Sequence, residues 1–477
     1  MVLNQDSCYL AVKTHDPRFD GRFFTGVTST RIYCRPVCPA KVPKRENCRF
    51  FPSAAAAESE GFRPCLRCRP ELAPGNASID AGARLAQAAA SLIEDGAVNG
   101  AGLEELASRL GVTDRHLRRL FFAAFGVAPI EFVQTQRLLL AKRLLTDTAM
   151  SATDVAFASG FQSLRRFNGL FKERYRLAPS DLRKNARAST TADEFVFELA
   201  YRPPLDWQHL LAFLGSRGIA GVEVIDSNNY HRTVRVEAKG AIHRGWMAVT
   251  QHKSKAVLRI RLSASLAAVL PHVMSRIKHL FDLSCHPVEI SAALGALAVG
   301  QSGIRLPGAF AGFELAVRAV LGQQITVRAA TTMAGRFATA FGDDVATPFA
   351  ELTRTFPAAD QIASLTVDDI ARLGIIAARA RTILALARHM VGGEWRLDPS
   401  SNVEATITQL RAIPGIGDWT AQYIAMRALA WPDAFPHTDY GVMKALAEKN
   451  PRKVLERAEA WRPWRAYAVM HLWRSLE

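Results

Sequence analysis

Apolar residues recur along this chain with changing periods, and the changes divide it. From about residue 81 to Lys184 they return every three or four positions, the period of amphipathic helices. Glu194–Tyr201, Val222–Val236, Ile242–Gln251 and Val257–Leu262 instead alternate apolar with polar residues, as half-buried antiparallel strands do. Helical patterns at Trp207–Arg217 and Leu266–Leu280 are expected to pack on one face of those strands, and nearly everything from Leu306 onward has helical period. Two polar stretches, ELAPGNASID (Glu71–Asp80) and NARASTTAD (Asn185–Asp193), read as linkers. The expectation is a multidomain protein, mostly α with α+β parts, divided as 1–75, 76–188, 192–288 and 289–477.

Length and charge narrow the class. A chain of 477 residues exceeds one comfortable core. The balance of 60 Lys+Arg against 44 Asp+Glu gives a net charge of +16, which favours an anionic partner, nucleic acid ahead of a membrane surface. Residues 1–190 hold 28 basic and 18 acidic residues, net +10; the remaining 32 and 26 leave net +6, so both halves are suited to DNA. No run of 18 apolar residues is present, and MVLNQDSCYLAVKTHD lacks the order of a signal peptide; a cytoplasmic, nucleoid-associated location and no membrane partner are expected.

Six of the seven cysteines lie within the first 68 residues. Cys34-Arg-Pro-Val-Cys38 and Cys65-Leu-Arg-Cys68 have the spacing at which paired sulfurs converge on one tetrahedral ion, and four thiolates indicate zinc. Cys8 and Cys48 lack a partner at ligand spacing and are expected as buried small hydrophobes. GVTSTRIYCRPVCPAK (Gly26–Lys41) followed by GFRPCLRCRP (Gly61–Pro70) resembles the N-terminal domain of Ada-type methylation-response proteins. The resemblance implies that Cys34, Cys38, Cys65 and Cys68 hold one Zn²⁺ and that Cys34 accepts a methyl group from a DNA methylphosphotriester. Arg31, Arg35, Lys41, Lys44 and Arg45 are expected to hold the DNA backbone near it. Unliganded core cysteines, a purely structural zinc site and a redox-sensing zinc switch are the other readings of the quartet.

Two segments then repeat one plan. Leu103–Leu110, a Gly111 bend and a helix carrying Arg115, His116, Arg118 and Arg119 form the first; Ala152–Ser159, Gly160 and the helix Ser163–Tyr175 with Arg165 and Arg166 form the second. This is helix-turn-helix grammar. Ending in FQSLRRFNGLFKERYRLAPSDLRK, the pair resembles the DNA-binding domain of AraC-type regulators, which implies promoter DNA and RNA polymerase as partners, with Arg115, Arg118, Arg165 and Arg166 contacting DNA. Phe161, Phe167 and Phe171 are expected in the core. Cys285, in Leu-Ser-Cys-His-Pro, lacks the Pro-Cys-His-Arg motif of guanine-O6 methyltransferases and is expected to be structural.

The densest chemistry lies in LRAIPGIGDWTAQYIAMRALAWPDAFPHTDY (Leu410–Tyr440). Ile413-Pro-Gly-Ile-Gly417 separates two helical patterns, Val403–Arg411 and Trp419–Leu429, so its backbone amides open a helix and suit a phosphate. Taken alone, the turn reads better as an ordinary interhelical connection and Asp439 as a helix N-cap. Together they resemble the helix-hairpin-helix of base-excision DNA glycosylases, and Tyr201-Arg-Pro-Pro-Leu-Asp-Trp207 resembles the start of the AlkA-type 3-methyladenine glycosylase lobe. The resemblance implies Asp439 as catalytic carboxylate, Pro414, Gly415 and Gly417 as a phosphate clamp with a possible monovalent cation, and Trp419, Tyr423, Trp473 and Tyr440 as the base pocket. It places Gln324, after Gly322-Gln323, as the wedge that fills the base stack. Trp461 and Trp464 are expected in the core. Bifunctional members carry lysine where Trp419 stands, so a monofunctional hydrolase is expected; no cysteine cluster follows residue 417, so no iron–sulfur cluster is expected, and the protein is expected to be a monomer. The expected whole is a zinc methyl acceptor, a double helix-turn-helix reader, an antiparallel α+β lobe and an all-α glycosylase domain. The rival reading is a transcription regulator whose helix-hairpin-helix binds DNA without catalysis.

Overall fold

The computed structural model describes residues 4–74, 81–96, 102–184, 193–238, 240–392, 395–399 and 402–477. Most of the two linkers expected at Glu71–Asp80 and Asn185–Asp193 lies outside the described residues. The chain forms two compact units, one of residues 1–203, 252–275 and 283–286, the other of 204–251, 276–282 and 287–477. No helix among the described residues is long and apolar enough to cross a membrane.

In the first unit a small sheet has the order β3-β1-β2-β4, formed by β1 (Phe24–Val27), β2 (Ile32–Cys34), β3 (Cys48–Phe51) and β4 (Arg63–Pro64). β1 pairs antiparallel with β2, Thr25 opposite Cys34, and with β3, Phe24 opposite Phe51; β4 runs parallel to β2. Glycine is required at position 26, because a Cβ there would stand 2.7 Å from the Phe51 ring and 2.9 Å from that of Phe62. Phe24, Tyr33, Phe51 and Phe62 continue without a break into a core with Leu117, Phe121, Phe132 and Leu139 of the helices that follow. The four-cysteine sheet and the first helix-turn-helix therefore share one apolar interior.

Both helix-turn-helix plans are present. Leu103–Arg109 turns at Gly111 (φ +68°) into Asp114–Phe125, capped by Thr113; Ala152–Ala158 turns at Gly160 (φ +86°) into Leu164–Tyr175, capped by Ser163. In each bend only a residue that tolerates the left-handed region fits without strain. The long helix Pro129–Asp147 joins the two, and it is fastened by buried charge: Lys142 pairs with Glu71 at 2.6 Å and Arg69 with Asp147 at 2.6 Å. Glu58, buried, accepts from Tyr33 and from Thr135 of the long helix, each at 2.9 Å. Phe161, Phe167 and Phe171 are buried, as is Cys285. The antiparallel pair β5 (Glu194–Ala200) and β9 (Val257–Ser263) completes the unit, and Arg143 of the long helix donates to the Glu198 carbonyl at 2.6 Å.

The second unit holds β6 (Glu223–Ile225), β7 (Asn229–Ala238) and β8 (Ala241–Gln251) as an antiparallel meander. Val222–Val236, read as one strand, is two. The Asp226 carboxylate accepts from the amides of Asn228 and Asn229 at 2.9 and 2.8 Å, an Asx turn that reverses the chain. The helix Trp207–Gly215 is anchored by Trp207, whose indole donates to the Asn228 carbonyl at 3.0 Å. Gly312–Leu321 is buried almost all round, as an apolar helix at the centre of a helical domain must be. Arg232 of β7 reaches Glu314 on that helix at 2.7 Å, joining sheet to helices. The region after Leu306 is not continuously helical: residues 342–358 form a loop with an isolated bridge between Asp344 and Arg354. Trp464 is buried, while Trp461 is half-buried against Phe435.

Candidate functional sites

The hairpin lies between the helices Val403–Ala412 and Asp418–Arg427, with Gly417 at the N-cap of the second. Ile413 and Ile416 are buried and hold it down, leaving Pro414, Gly415 and Gly417 exposed. Gly415 has φ +93°, and a Cβ there would lie 2.2 Å from Oγ1 of Thr382. Glycine is thus demanded by both conformation and space. The Thr382 hydroxyl donates to the Pro414 carbonyl at 2.8 Å, so the helix Ala377–Val391 supports the turn from below.

Asp439 caps the helix Tyr440–Ala445, its Oδ1 accepting from the Val442 amide at 2.9 Å. It also accepts two indole N–H groups, Trp419 on Oδ2 and Trp473 on Oδ1, each at 2.9 Å. Cap and candidate catalytic group are the same residue. Three donors fix both carboxylate oxygens, and the carboxylate remains half-buried.

Trp419 and Tyr423 are stacked on each other, ring centroids 5.3 Å apart and planes 9° from parallel. A sandwiched base needs about twice the 3.5–4 Å aromatic contact distance, so the pair is one platform with an outer face and not two jaws. Trp473 is tilted 46° to Tyr423 at 6.5 Å and stacks on Phe213 at 6.1 Å. Tyr440 stands apart in exposure, at 80 % against the half-buried Trp419, Tyr423 and Trp473. Behind the platform, buried Arg427 donates to the Tyr423 hydroxyl at 2.8 Å. Burial pushes the Tyr423 phenol up, but the positive charges of Arg427, Arg217 and Arg318 outweigh it and hold the phenol below its ordinary value. Phe213, Thr382 and Arg427 carry no signal in the sequence that would mark them; only packing brings them here.

Gln324 follows the central helix, exposed and with φ +55°, a left-handed conformation unusual for a residue with a side chain.

In the first unit, the sulfurs of Cys34, Cys38, Cys65 and Cys68 lie within 4.8 Å of one another. Such a donor set fits one tetrahedral thiophilic cation, and zinc is the ion it suits. As whole residues, Cys38, Cys65 and Cys68 are buried and Cys34 is half-buried. Arg31, Lys41 and Lys44 are exposed, and Arg45 is half-buried. Arg35 is not available to DNA: it is buried, ion-paired with Asp20 and hydrogen-bonded to the Cys68 carbonyl at 3.1 Å. Its guanidinium holds the cysteine loops together. Cys8 and Cys48 are buried. Arg115, Arg118, Arg165 and Arg166 are all exposed on the second helices of their units, with Arg118 tied to Asp114 at 2.7 Å.

Family models match in the same order. The metal binding domain of Ada covers residues 7–71, a helix-turn-helix domain 106–185, the AlkA N-terminal domain 196–311, and the HhH-GPD superfamily of base excision DNA repair proteins 317–464. Fold and sites together define a base-excision DNA repair protein carrying a metal-binding and helix-turn-helix regulatory half. The chain is 37 % identical over 487 residues to the probable bifunctional transcriptional activator/DNA repair enzyme AlkA of Mycobacterium tuberculosis, covering 99 % of this chain and 96 % of that protein. It belongs to that family of bifunctional transcriptional activator/DNA repair enzymes. It is also 33 % identical over 278 residues to DNA-3-methyladenine glycosylase 2 of Escherichia coli, covering 58 % of this chain and 96 % of that one. The 3-methyladenine DNA-glycosylase of Archaeoglobus fulgidus shares the fold of the C-terminal part, with a TM-score of 0.51 at 20 % identity, covering 58 % of this chain and 97 % of that one.

Proposed function

We propose that the protein hydrolyses the N-glycosidic bond of alkylated, 3-methyladenine-type bases in double-stranded DNA, accepts methyl groups from DNA methylphosphotriesters on Cys34, and regulates transcription through its two helix-turn-helix units. The working parts are 1–75, 76–188, 192–288 and 289–477. The observation that carries the glycosylase reading is the carboxylate of Asp439 held by Trp419, Trp473 and the Val442 amide. Charge fixed in place before reaction costs no reorganisation as positive charge develops on the deoxyribose, and the same oxygens are placed to take a proton from an attacking water.

Pro414, Gly415 and Gly417 at the start of the helix Asp418–Arg427 hold a backbone phosphate, with a monovalent cation assisting. Gln324 fills the gap left by the displaced nucleotide and can hydrogen-bond the orphaned base. The outer face of the Trp419–Tyr423 platform, with Trp473 and Tyr440, receives the lesion. Alkylation at a ring nitrogen makes a purine cationic, and electron-rich faces attract it where a normal base gains less. With Trp419 in place of the lysine of bifunctional relatives, the product is an abasic site and the strand stays intact.

At the cysteine centre, Cys34, Cys38, Cys65 and Cys68 hold the zinc. A bound zinc keeps the sulfurs deprotonated at neutral pH. The Cys34 sulfur then forms a bond to the methyl carbon as the carbon–oxygen bond of the phosphotriester breaks, leaving an ordinary phosphodiester. Arg31, Lys41 and Lys44 hold the backbone; Arg115, Arg118, Arg165 and Arg166 contact promoter DNA, with RNA polymerase as partner and the protein monomeric and cytoplasmic.

The test is Asp439→Asn. Asparagine is also a good N-cap, so the fold is retained. Base release from alkylated DNA should fall by about 10² to 10³ or more while lesion-DNA binding stays nearly intact. Wild-type excision by this variant would remove the assignment and favour a non-catalytic DNA-binding module.

A further inference from the structure

Gln323 lies beside the proposed wedge, and its side chain turns to the hairpin. Its amide Nε2 donates to the Gly415 carbonyl at 2.8 Å and to Oγ1 of Thr420 at 3.0 Å. A primary amide has two N–H donors, and this geometry uses both. Gly415 is the tip of the hairpin, and Thr420 is a buried residue in the first turn of the helix the hairpin opens. The backbone of the same residue is held as well, because the Arg379 guanidinium donates to the Gln323 carbonyl. Arg379 and Thr382 stand one turn apart on the helix Ala377–Val391; Arg379 grips the wedge loop and Thr382 the Pro414 carbonyl of the hairpin. Gln324, the next residue, is thereby presented in its left-handed conformation from a loop anchored on the hairpin.

We infer that Gln323 is a positioning residue that couples the phosphate-binding hairpin to Gln324, so that seating the backbone phosphate and inserting the wedge are one event. This rests on the reading of the hairpin as phosphate site and of Gln324 as wedge. Physically, a loop that carries an exposed side chain in a sparsely populated backbone conformation keeps it only while its surroundings over-determine it. Here those surroundings are the hairpin and the helix Ala377–Val391 beneath it. A hairpin drawn to a phosphate carries the loop with it, and a lost staple lets the two move separately.

The probe is a duplex with a tetrahydrofuran abasic-site analogue beside 2-aminopurine, whose fluorescence rises when wedge insertion unstacks it. A second duplex has a methylphosphonate, uncharged, at the phosphate 3′ of the analogue. The full-length protein is used at saturation on both. With wild type, the methylphosphonate should lower both affinity and the saturating fluorescence. Gln323→Met keeps the length and removes both donors; it should show low fluorescence on the normal duplex, no further drop with methylphosphonate, and excision slowed by about tenfold, the size of one or two lost hydrogen bonds. Should Gln323→Met fail to fold, Thr420→Val removes one acceptor alone and should shift fluorescence the same way by a smaller amount. A merely structural role would lower the melting temperature but leave the phosphate and wedge effects coupled, and that result overturns the proposal. Wild-type fluorescence with Gln323→Met or, in its place, with Thr420→Val, while Gln324→Ala loses it, overturns the coupling alone. Wild-type fluorescence with Gln324→Ala overturns the wedge reading and the coupling with it.

Discussion

Trp419 donates its indole N–H to Oδ2 of Asp439 at 2.9 Å. The residue is therefore more than an aromatic wall: its ring stacks on Tyr423 while its edge orients the carboxylate. Trp419→Phe keeps most of the stack and removes the donor. A hydrogen bond to a charged acceptor contributes about 1.5–3 kcal/mol, so the excision rate at saturating DNA should drop by about 10- to 100-fold with a smaller change in affinity. A rate within about twofold of wild type would show that Trp473 and the Val442 amide suffice.

The same position bears on strand cleavage. With no amine there, borohydride should trap no covalent adduct between the protein and abasic DNA. Recovery of a stable adduct, and mapping of its lysine, would overturn the monofunctional assignment.

Glu58 makes the stability of the first unit depend on pH. Burial pushes its carboxyl up to about 7, against the Thr135 and Tyr33 hydroxyls and the charge of Arg174, which favour the ionised form. An unfolded glutamate titrates near 4.3. Between those values the folded state keeps a proton that the unfolded state has lost. Its contribution is fully present below about 4.3 and is lost as pH rises through about 7, a total on the order of 3 kcal/mol. Glu58→Gln should remove that slope in denaturant unfolding of the zinc-loaded protein between about pH 4.5 and 7.5. Equal slopes for the two proteins would place the titration elsewhere.

Methylation of Cys34 should strengthen promoter binding. A thiolate that becomes a thioether loses one negative charge beside a face that meets the phosphate backbone. At ~8 Å and an effective dielectric of ~40 to 80, that change is worth roughly 0.5 to 1 kcal/mol per nearby phosphate. Two or three phosphates give about a tenfold gain in affinity. Promoter affinity at fixed salt, before and after reaction with methylphosphotriester DNA and with Cys34→Ser as the unreactive control, measures it. Equal affinities, or a methyl group found on another cysteine, would remove the switch.

What the sequence determined by itself is local. Two cysteine pairs with three and two residues between their members, a Pro-Gly-Ile-Gly turn between helical periods, and glycines at two helix-turn-helix bends are legible because backbone geometry over a few residues demands those residue types. Even there one local signal was missed: the Asp226 turn splits β6 from β7 inside a run whose alternation reads as continuous. Tertiary structure decided which side chains meet. Arg35 sits between two cysteines of the quartet, yet Asp20 draws it inward and away from DNA. Glu58 finds its partners 25 and 77 positions away, and Asp439 receives indoles from 20 and 34 positions away. Gln323 reaches the hairpin across 92 residues. A buried polar group must find a partner wherever the packing brings one, and nothing in periodicity or spacing records which partner that will be.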